Sequence, residues 1–258
     1  MDEIKYPVND FIIFEKDTPN PNIKAGSVYF GTTNGVYFRY HNSQNSVAKI
    51  NLITECNCDS PENNIKKLFL DLDGNLYFKV LCDTVYYVSL NSWTPKRVNK
   101  INNLNSIAVF EKDTPNSSVK KGDIYFGTTN GIYFKSKNSS NDTIRKVDEK
   151  DNNFIKLIEI LPNGDAYSLD SNGNVYYVPF DSWEVTKVNE INNVNIIAGV
   201  KQDTFINSVK KNSVYFGKND GIYLKVNISS DIQKINEINN SVKLIELSPN
   251  GSAFILGS

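Results

Sequence analysis

The sequence repeats itself along almost its whole length. Residues 14–38, FEKDTPNPNIKAGSVYFGTTNGVYF, return 96 residues later at 110–134 as FEKDTPNSSVKKGDIYFGTTNGIYF, and a third copy follows at 200–224. We call the repeats that contain these copies A1, A2 and A3. A chain of this kind must fold into supersecondary units that pack against their neighbours, because one copy alone is too short to bury its hydrophobic face.

A second type of repeat alternates with the first. Residues 66–99 match residues 156–189, and a shortened third copy starts at Lys243. We call these repeats B1, B2 and B3. The order along the chain is therefore A1, B1, A2, B2, A3 and B3, and a full repeat has about 45 residues, a length typical of blades in repeat proteins.

Each repeat is predicted to contain four short antiparallel strands. In A2 the strands are expected at residues 106–111, 123–127, 131–135 and 143–147, and in B2 at 155–161, 165–169, 174–178 and 184–188. The pairs Asn130-Gly131, Asn163-Gly164 and Asn172-Gly173 supply the positive φ angles that tight hairpins need. Four strands in a repeat of this length are typical of a β-propeller blade.

The apolar pattern of the inner strands favours the same fold. Segments 67–70 (KLFL) and 175–178 (VYYV) carry apolar residues at successive positions. Both faces of such strands must be buried, as they are in a propeller blade that has a neighbour on each side. We predict an all-β protein: a β-propeller of six four-stranded blades, arranged as three A/B double repeats, with the last blade closed by both termini.

The whole chain, residues 1–258, is expected to form this one domain. The predicted blades lie at residues 11–50, 65–99, 105–149, 154–190 and 194–237, and the last blade combines residues 242–258 with residues 1–6. Residues 2–6 occupy the position that an outer strand holds before A2 and A3, so the N-terminus is predicted to complete B3.

Charge and composition exclude several classes of partner. Lys and Arg number 28 against 29 Asp and Glu, so the net charge of -1 at pH 7 provides no broad basic field for nucleic acid or anionic lipid. The sequence has no visible signal peptide and no stretch of 18 apolar residues, so we expect a cytoplasmic protein or one exported by a signal-less route. Its three cysteines indicate neither a disulfide framework nor a zinc site.

The residue inventory disfavours catalysis. His41 is the only histidine, which leaves almost no material for a His-based triad or a His-ligated metal. The loops that begin at Asp71 and Asp170 resemble calcium loops but lack the later bidentate Glu, so hairpin turns are the simpler explanation. We expect a protein that is not an enzyme and that uses no cofactor or metal.

Binding is better supported, and the strand order predicts where it occurs. In a four-stranded meander the 1–2 and 3–4 loops emerge on one face, here called the loop face, and the 2–3 turns and 4–1 connectors emerge on the other, the turn face. The loop face carries the polar 1–2 loops of the A repeats and the only two tryptophans. An indole beside amides and carboxylates suits a sugar. The candidate ligand-binding residues are Trp93, Trp183, Asn91, Asp181, Asp113, Asp203 and Asp17.

Blade order further predicts that each B loop lies beside the 1–2 loop of the next A repeat. This pairs Trp93 with the loop at Asp113 and Trp183 with the loop at Asp203, and it leaves Asp17 without a tryptophan. We therefore expect two similar sites and a third, degenerate one. The alternative is that the tryptophans only cap the hydrophobic ends of their blades. The turn face carries short hairpins and connectors that the fold needs whatever the function.

Several short motifs in the B repeats recur in a known family. B2 contains KL at 156–157, PNG at 162–164, Tyr167, Tyr176, DSW at 181–183 and TKV at 186–188, and B1 contains DGNLY at 73–77, Tyr86, NSW at 91–93 and KRV at 96–98. B3 retains only KL at 243–244 and PNG at 249–251. These residues resemble the repeat of tachylectin-2-type lectins. The A repeats keep a tyrosine pair and the outer strand but lack the tryptophan, and no repeat has the family's G-G-W start.

The resemblance implies a multivalent lectin for N-acetylated sugars. The family has five equivalent blades, whereas six alternating blades are predicted here. The expected partner is a glycan or glycoprotein bound by a monomer, with no nucleic acid and no membrane insertion. The alternative is a protein-protein interaction platform that uses one propeller face.

Overall fold

The structure is a computed structural model that divides into two compact units. It describes residues 4–21, 23–42, 47–50, 64–114, 119–139, 143–147, 154–203, 209–237, 241–248 and 253–257. Unit 1 comprises Met1–Leu104 and Ser139–Ile144, and unit 2 comprises Asn105–Asn138 and Arg145–Ser258. The described residues form 22 β-strands. They include no helix long and apolar enough to cross a membrane.

The described part of unit 1 forms two four-stranded antiparallel meanders. Repeat A1 supplies β1 (Val8–Ile13), β2 (Val28–Thr32), β3 (Gly35–Arg39) and β4 (Val47–Ile50). Repeat B1 supplies β5 (Ile65–Leu70), β6 (Leu76–Val80), β7 (Thr84–Val88) and β8 (Pro95–Asn102).

The described part of unit 2 forms three further four-stranded meanders and one two-stranded sheet. A2 supplies β9 (Leu104–Val109), β10 (Ile124–Thr128), β11 (Gly131–Lys135) and β12 (Arg145–Lys146). B2 supplies β13 (Ile155–Ile160), β14 (Ala166–Asp170), β15 (Val175–Val178) and β16 (Thr186–Lys187). A3 supplies β17 (Val194–Gly199), β18 (Val214–Lys218), β19 (Gly221–Lys225) and β20 (Gln233–Asn236), and B3 supplies β21 (Val242–Leu247) and β22 (Ala253–Gly257).

The strands predicted for A2 and B2 are all present, with bounds that differ from the prediction by at most two residues. The predicted turn glycines have positive φ angles, 110° at Gly131, 98° at Gly164 and 78° at Gly173. Glycine adopts these angles without the steric cost that a Cβ would bring. The turn chemistry therefore determines where the hairpins reverse.

The cores lie between consecutive repeats. In unit 1, Tyr29 and Phe38 of A1 pack in one buried cluster with Leu76 and Phe78 of B1. In unit 2, separate clusters join A2 to B2, B2 to A3, and A3 to B3. The inner strands β10 and β14 are buried at every position, as the run of apolar residues predicts for strands covered on both faces.

A β-bulge interrupts the first strand of several repeats. The pairing register shifts at Asn9 and Asn195 in A repeats and at Lys66, Lys156 and Lys243 in B repeats. A bulged residue leaves the ladder, and its side chain points in a new direction. In A1 this lets Asn9 donate through Nδ2 to the carbonyl of Ile65 in B1, at 2.9 Å. The bulge thus connects an A repeat to the B repeat that follows.

The structure does not confirm the predicted closure of B3 by the N-terminus, and it differs from the expectation for the cysteines. The sheet of β21 and β22 is two-stranded within the described residues, and residues 4–7 form no strand, so the N-terminal strand predicted for residues 2–6 is not confirmed. Residues 1–3 and the predicted PNG turn of B3 lie outside the described residues.

Cys82 is disulfide-bonded, although the odd cysteine count indicated no disulfide framework. Cys56 and Cys58 lie outside the described residues. The closed six-bladed ring and the single domain stay predictions.

Candidate functional site

The two tryptophans occupy equivalent turns with the same unusual backbone. Trp93 has a φ of 54° and Trp183 a φ of 62°. The amide of Trp93 donates to the carbonyl of Ser89 at 3.0 Å, which closes a single helical turn before the chain enters β8. A left-handed conformation is unfavourable for a bulky side chain, so the surrounding contacts must hold it in place.

Those contacts come from the A repeat that precedes each tryptophan. The Trp93 ring lies 5.0 Å from Phe38, and the Trp183 ring lies 4.6 Å from Phe134. The guanidinium of Arg145 covers Trp183 at 4.2 Å. Both indoles are half-buried, and in the described part of the chain these ring contacts lie in A1 and A2. These ring contacts are of the kind that the capping alternative expects, and the predicted pairing with the loops at Asp113 and Asp203 stays a prediction.

The ring contacts place each indole against the A repeat that precedes it in the chain. Trp93 consequently belongs with A1, which contains Asp17, and Trp183 belongs with A2, which contains Asp113.

The three predicted aspartates share a structural role in the 1–2 loops. Each accepts a hydrogen bond at Oδ1 from the backbone amide eight residues later. The bonds join Asp17 to Ala25 at 3.0 Å, Asp113 to Lys121 at 2.9 Å and Asp203 to Lys211 at 3.2 Å. The remaining predicted residues, Asn91 and Asp181, are exposed on the tryptophan turns.

A depression on the loop face of unit 1 brings one of these aspartates together with residues that the sequence did not single out as ligands. It has a volume of about 610 Å³ and lies between the 1–2 loop of A1 and the chain that follows β3. The lining residues are Asp17, Pro21, Lys24, Ala25, Tyr40, His41 and Asn42. We call this the Tyr40 depression.

Tyr40 gives the depression an aromatic wall. Tyr40 is 36% exposed, and its ring meets that of Phe38 edge-on, with 4.8 Å between the ring centres. Phe38 in turn contacts Trp93, so the half-buried tryptophan supports the tyrosine through one intermediate ring. The wall is therefore held by the core of unit 1.

Polar groups of both signs lie on the other side. Lys24 Nζ is 3.1 Å from Asp17 Oδ2. The Ala25 amide, followed by the Lys24 ammonium, holds the pKa of Asp17 below its ordinary value, and the nearby His41 acts in the same direction. The backbone amide of His41 donates to the hydroxyl of buried Ser27 at 3.2 Å, which fixes the chain at this point. The depression thus combines a charged pair with an aromatic surface.

The other A repeats lack this combination. The positions equivalent to Tyr40 and His41 are Ser136 and Lys137 in A2, and Val226 and Asn227 in A3. The signal that could have identified the site was present in the sequence: A1 differs from its copies at these two neighbouring positions.

The two loops that resemble calcium sites are hairpin turns, as predicted. Asp71 accepts hydrogen bonds from the amides of Asp73 and Asn75, and Asp170 accepts them from Asn172 and Asn174. These bonds use the carboxylate oxygens that a cation would need. The described residues contain no group of three His, Cys, Asp or Glu side chains placed to hold a metal ion.

Comparison with known proteins identifies the fold but no family. No protein-family model matches the sequence, and no curated protein matches it. Solved structures do match. One is the extracellular domain of a protein named as the hybrid two-component system BT4673 from B. thetaiotaomicron, at 14% identity and a TM-score of 0.61, over 97% of this chain and 30% of that chain.

Two shorter proteins match over most of both chains. YCF48 bound to a D1 peptide is 11% identical with a TM-score of 0.58, over 100% of this chain and 76% of that one. Virginiamycin B lyase from Staphylococcus aureus is 13% identical with a TM-score of 0.55, over 96% and 81%. The fold is propeller-like. At these identities the comparisons show repeated β-blades alone, and they give no direct support to the predicted resemblance to lectins.

Proposed function

We propose that this protein is a non-enzymatic carbohydrate-binding protein that holds a sugar in the Tyr40 depression. The observation that supports this proposal most directly is the exposed Tyr40 ring, which lines the same depression as the Asp17–Lys24 pair. A sugar has an apolar C–H face and a rim of hydroxyls, so it needs an aromatic surface and polar groups of both kinds at once.

The proposed roles follow from the positions of the side chains. Tyr40 provides the surface on which the sugar ring lies, Asp17 accepts from hydroxyls, and Lys24 and Asn42 donate to them. Trp93 and Phe38 hold Tyr40 in place without contacting the ligand. The resemblance of the B repeats to tachylectin-2-type lectins makes N-acetylated sugars the first ligands to test. The six-bladed ring is part of the same proposal.

Binding of N-acetylglucosamine, followed by calorimetry after a glycan array, tests the proposal. Tyr40→Ala should weaken binding by about tenfold, because the stacked surface is lost. Tyr40→Phe should keep most of the affinity, because the ring remains.

Tyr6→Ala serves as the matched control, because Tyr6 is another exposed tyrosine of unit 1, 44% exposed, outside the depression. An array without any glycan above background, or equal affinities for Tyr40→Ala and the control, would exclude this site.

The second candidate function is a protein-interaction platform, and a separate observation favours it. Strand β1 exposes Val8, Phe11 and Ile13, and strand β22 exposes Phe254 and Leu256. Exposed apolar strand faces are common at protein interfaces. A stoichiometric protein partner that survives competition by free sugar would support this function in place of the first.

A further inference from the structure

The turn face of unit 2 has a depression of its own. It has a volume of about 490 Å³ and lies between B2 and A3, where the 2–3 turns of both repeats meet the connector that precedes β17. Its lining is mostly polar and contains no aromatic ring. The polar lining includes Lys156, Asn172, Asn193, Asn195, Lys218 and Asn219, with the carboxylates of Asp170 and Asp220 beside them. We call this the Lys156 depression.

One wall of this depression departs from the repeat. The 2–3 turn reads Thr-Thr-Asn-Gly in A1 and A2 but Lys-Asn-Asp-Gly in A3. The first threonine closes the turn itself, because Thr32 Oγ1 donates to Gly35 O at 2.9 Å and Thr128 Oγ1 to Gly131 O at 3.0 Å. Lys218 has no hydroxyl for this bond. The turn of A3 therefore lacks the internal side-chain hydrogen bond of A1 and A2, and it carries the charged side chains of Lys218 and Asp220 instead.

The opposite wall contributes a second ammonium group. Lys156 is the bulged residue of β13, and its Nζ reaches across to donate to the carbonyl of Asn195 at 3.0 Å. It makes no ion pair with a carboxylate among the described residues. An ammonium has three donors, so two remain for a ligand.

The neighbouring carboxylates are already engaged. Asp170 is 2% exposed and accepts from the amides of Asn172 and Asn174, from Asn174 Nδ2 and from the Tyr176 hydroxyl. Asp220 accepts from the Tyr223 hydroxyl at 2.7 Å and lies 3.7 Å from Lys234 and 4.0 Å from Lys218. Lys156 therefore retains capacity for an anionic group. Lys218 lies 4.8 Å from the centre of the Tyr223 ring and 4.0 Å from the Asp220 carboxylate, and neither contact uses all three of its donors.

Amide groups complete the lining. Asn195 Nδ2 donates to Asn219 Oδ1 at 2.7 Å and to the hydroxyl of Ser241 at 2.9 Å, so two of the asparagines are held in a fixed arrangement. Asn172 and Asn193 are exposed at the rim, and Asn193 has a φ of 54°. Each asparagine side chain offers both donors and an acceptor, which is what hydroxyl groups require.

We propose that the Lys156 depression binds an acidic sugar, with its carboxylate on Lys156 and Lys218 and its hydroxyls on the asparagines. This site goes beyond the proposed function, because its residues, its face and the charge of its ligand all differ from those of the Tyr40 depression. A sugar at this site is held by charge and hydrogen bonds, without an aromatic surface.

Titration of the full chain with D-glucuronate, followed by calorimetry, tests the proposal. D-glucose carries the hydroxyls without the carboxylate, and acetate carries the carboxylate without the hydroxyls. Glucuronate should bind at least tenfold more tightly than either, and its affinity should fall as salt is added, because the ion pairs are screened.

Two variants remove the site in different ways. Lys156→Gln should weaken glucuronate binding by about tenfold, because one charge-assisted contact is lost. The combined Lys218→Thr, Asn219→Thr and Asp220→Asn variant restores the turn of A1 and A2, so it should fold normally and lose binding to a similar extent. Lys66→Gln is the matched control, because Lys66 is the bulged lysine of B1 in unit 1.

The proposal would be overturned if glucose or acetate bound as tightly as glucuronate. It would also be overturned if Lys66→Gln weakened glucuronate binding as much as Lys156→Gln. Tyr40→Ala separates the two sites. This variant should keep its affinity for glucuronate even when it no longer binds N-acetylglucosamine. A loss of glucuronate binding in this variant would show that glucuronate binds in the Tyr40 depression.

Discussion

At the residue scale, the second strands of the blades place tyrosines in the core. Tyr29 and Tyr125 are fully buried, and in the part of the chain that the structure describes their hydroxyls have no hydrogen-bond partner. A buried hydroxyl without a partner loses its hydrogen bonds to water on folding and forms none within the protein. These positions therefore keep the aromatic ring for packing, while the oxygen opposes folding.

Tyr29→Phe and Tyr125→Phe should each raise the free energy of unfolding by about 1 kcal/mol, because each removes an unpaired buried group without creating a cavity. Urea denaturation measures the change. Tyr176→Phe is the matched control, because the Tyr176 hydroxyl donates to Asp170 at 3.2 Å, and this variant should lose stability. A loss in all three variants would mean that the core hydroxyls are hydrogen-bonded in solution.

The tryptophans give the second prediction at this scale. Trp183→Ala should lower the free energy of unfolding by about 2 to 3 kcal/mol, because it empties the slot between Phe134 and Arg145. Trp93→Ala should behave alike beside Phe38. Thermal and urea denaturation measure both. Unchanged stability together with a lost glycan site would return the two indoles to the role of ligand residues.

At the element scale, strand β22 differs from its counterparts. Phe254 is 65% exposed and Leu256 59% exposed, whereas the equivalent Tyr167 and Leu169 of β14 are 2% and 0% exposed. In the described residues β22 pairs only with β21, and its other edge is not paired. A hydrophobic edge strand without charge is a typical aggregation site.

Phe254→Ser should therefore change the free energy of unfolding by no more than about 0.5 kcal/mol, because the side chain is mostly exposed. It should also reduce light scattering at high protein concentration. Tyr167→Ser, the same change at the equivalent position of B2, should cost about 3 kcal/mol or more. Equal losses in the two variants would show that the face of β22 is covered in solution.

The comparison between elements also shows what the sequence can predict. Strands and hairpins followed from the repeat because turn glycines and runs of apolar residues act locally. The ring neighbours of Trp93 and Trp183 did not follow, because the strand pattern does not determine on which side of a loop a side chain packs. The Tyr40 depression was not predicted for a different reason. Tyr40 and His41 occupy positions at which A1 differs from A2 and A3, so the repeat pattern does not point to them.

At the scale of the whole molecule, the repeated core tyrosines link stability to pH. Burial raises the pKa of Tyr29, Tyr77, Tyr125 and Tyr167 above the ordinary value of 10.0. In the unfolded chain these phenols lose their protons near pH 10, while the folded protein keeps them. Above that pH the unfolded state binds fewer protons, so its population is favoured.

The free energy of unfolding should accordingly be nearly constant from pH 8 to about 9.5 and fall steeply above pH 10. Tyrosinate absorbance near 295 nm and circular dichroism, recorded on the same samples, measure the two events. The buried tyrosines should ionise together with unfolding. Gradual ionisation of every tyrosine in a protein that keeps its strands would contradict this expectation.

The packing of the tryptophans also bears on how such a gene can gain or lose blades. Because Trp93 of B1 covers the aromatic residues of A1, and Trp183 of B2 covers those of A2, repeats A1 and A2 are each complete only with the B repeat that follows in the chain. Loss of a single blade from the gene would leave an uncovered aromatic slot or an indole without one. Duplication or deletion of an A–B pair would leave every remaining junction of the same kind, so recombination in this gene should be tolerated in steps of two blades.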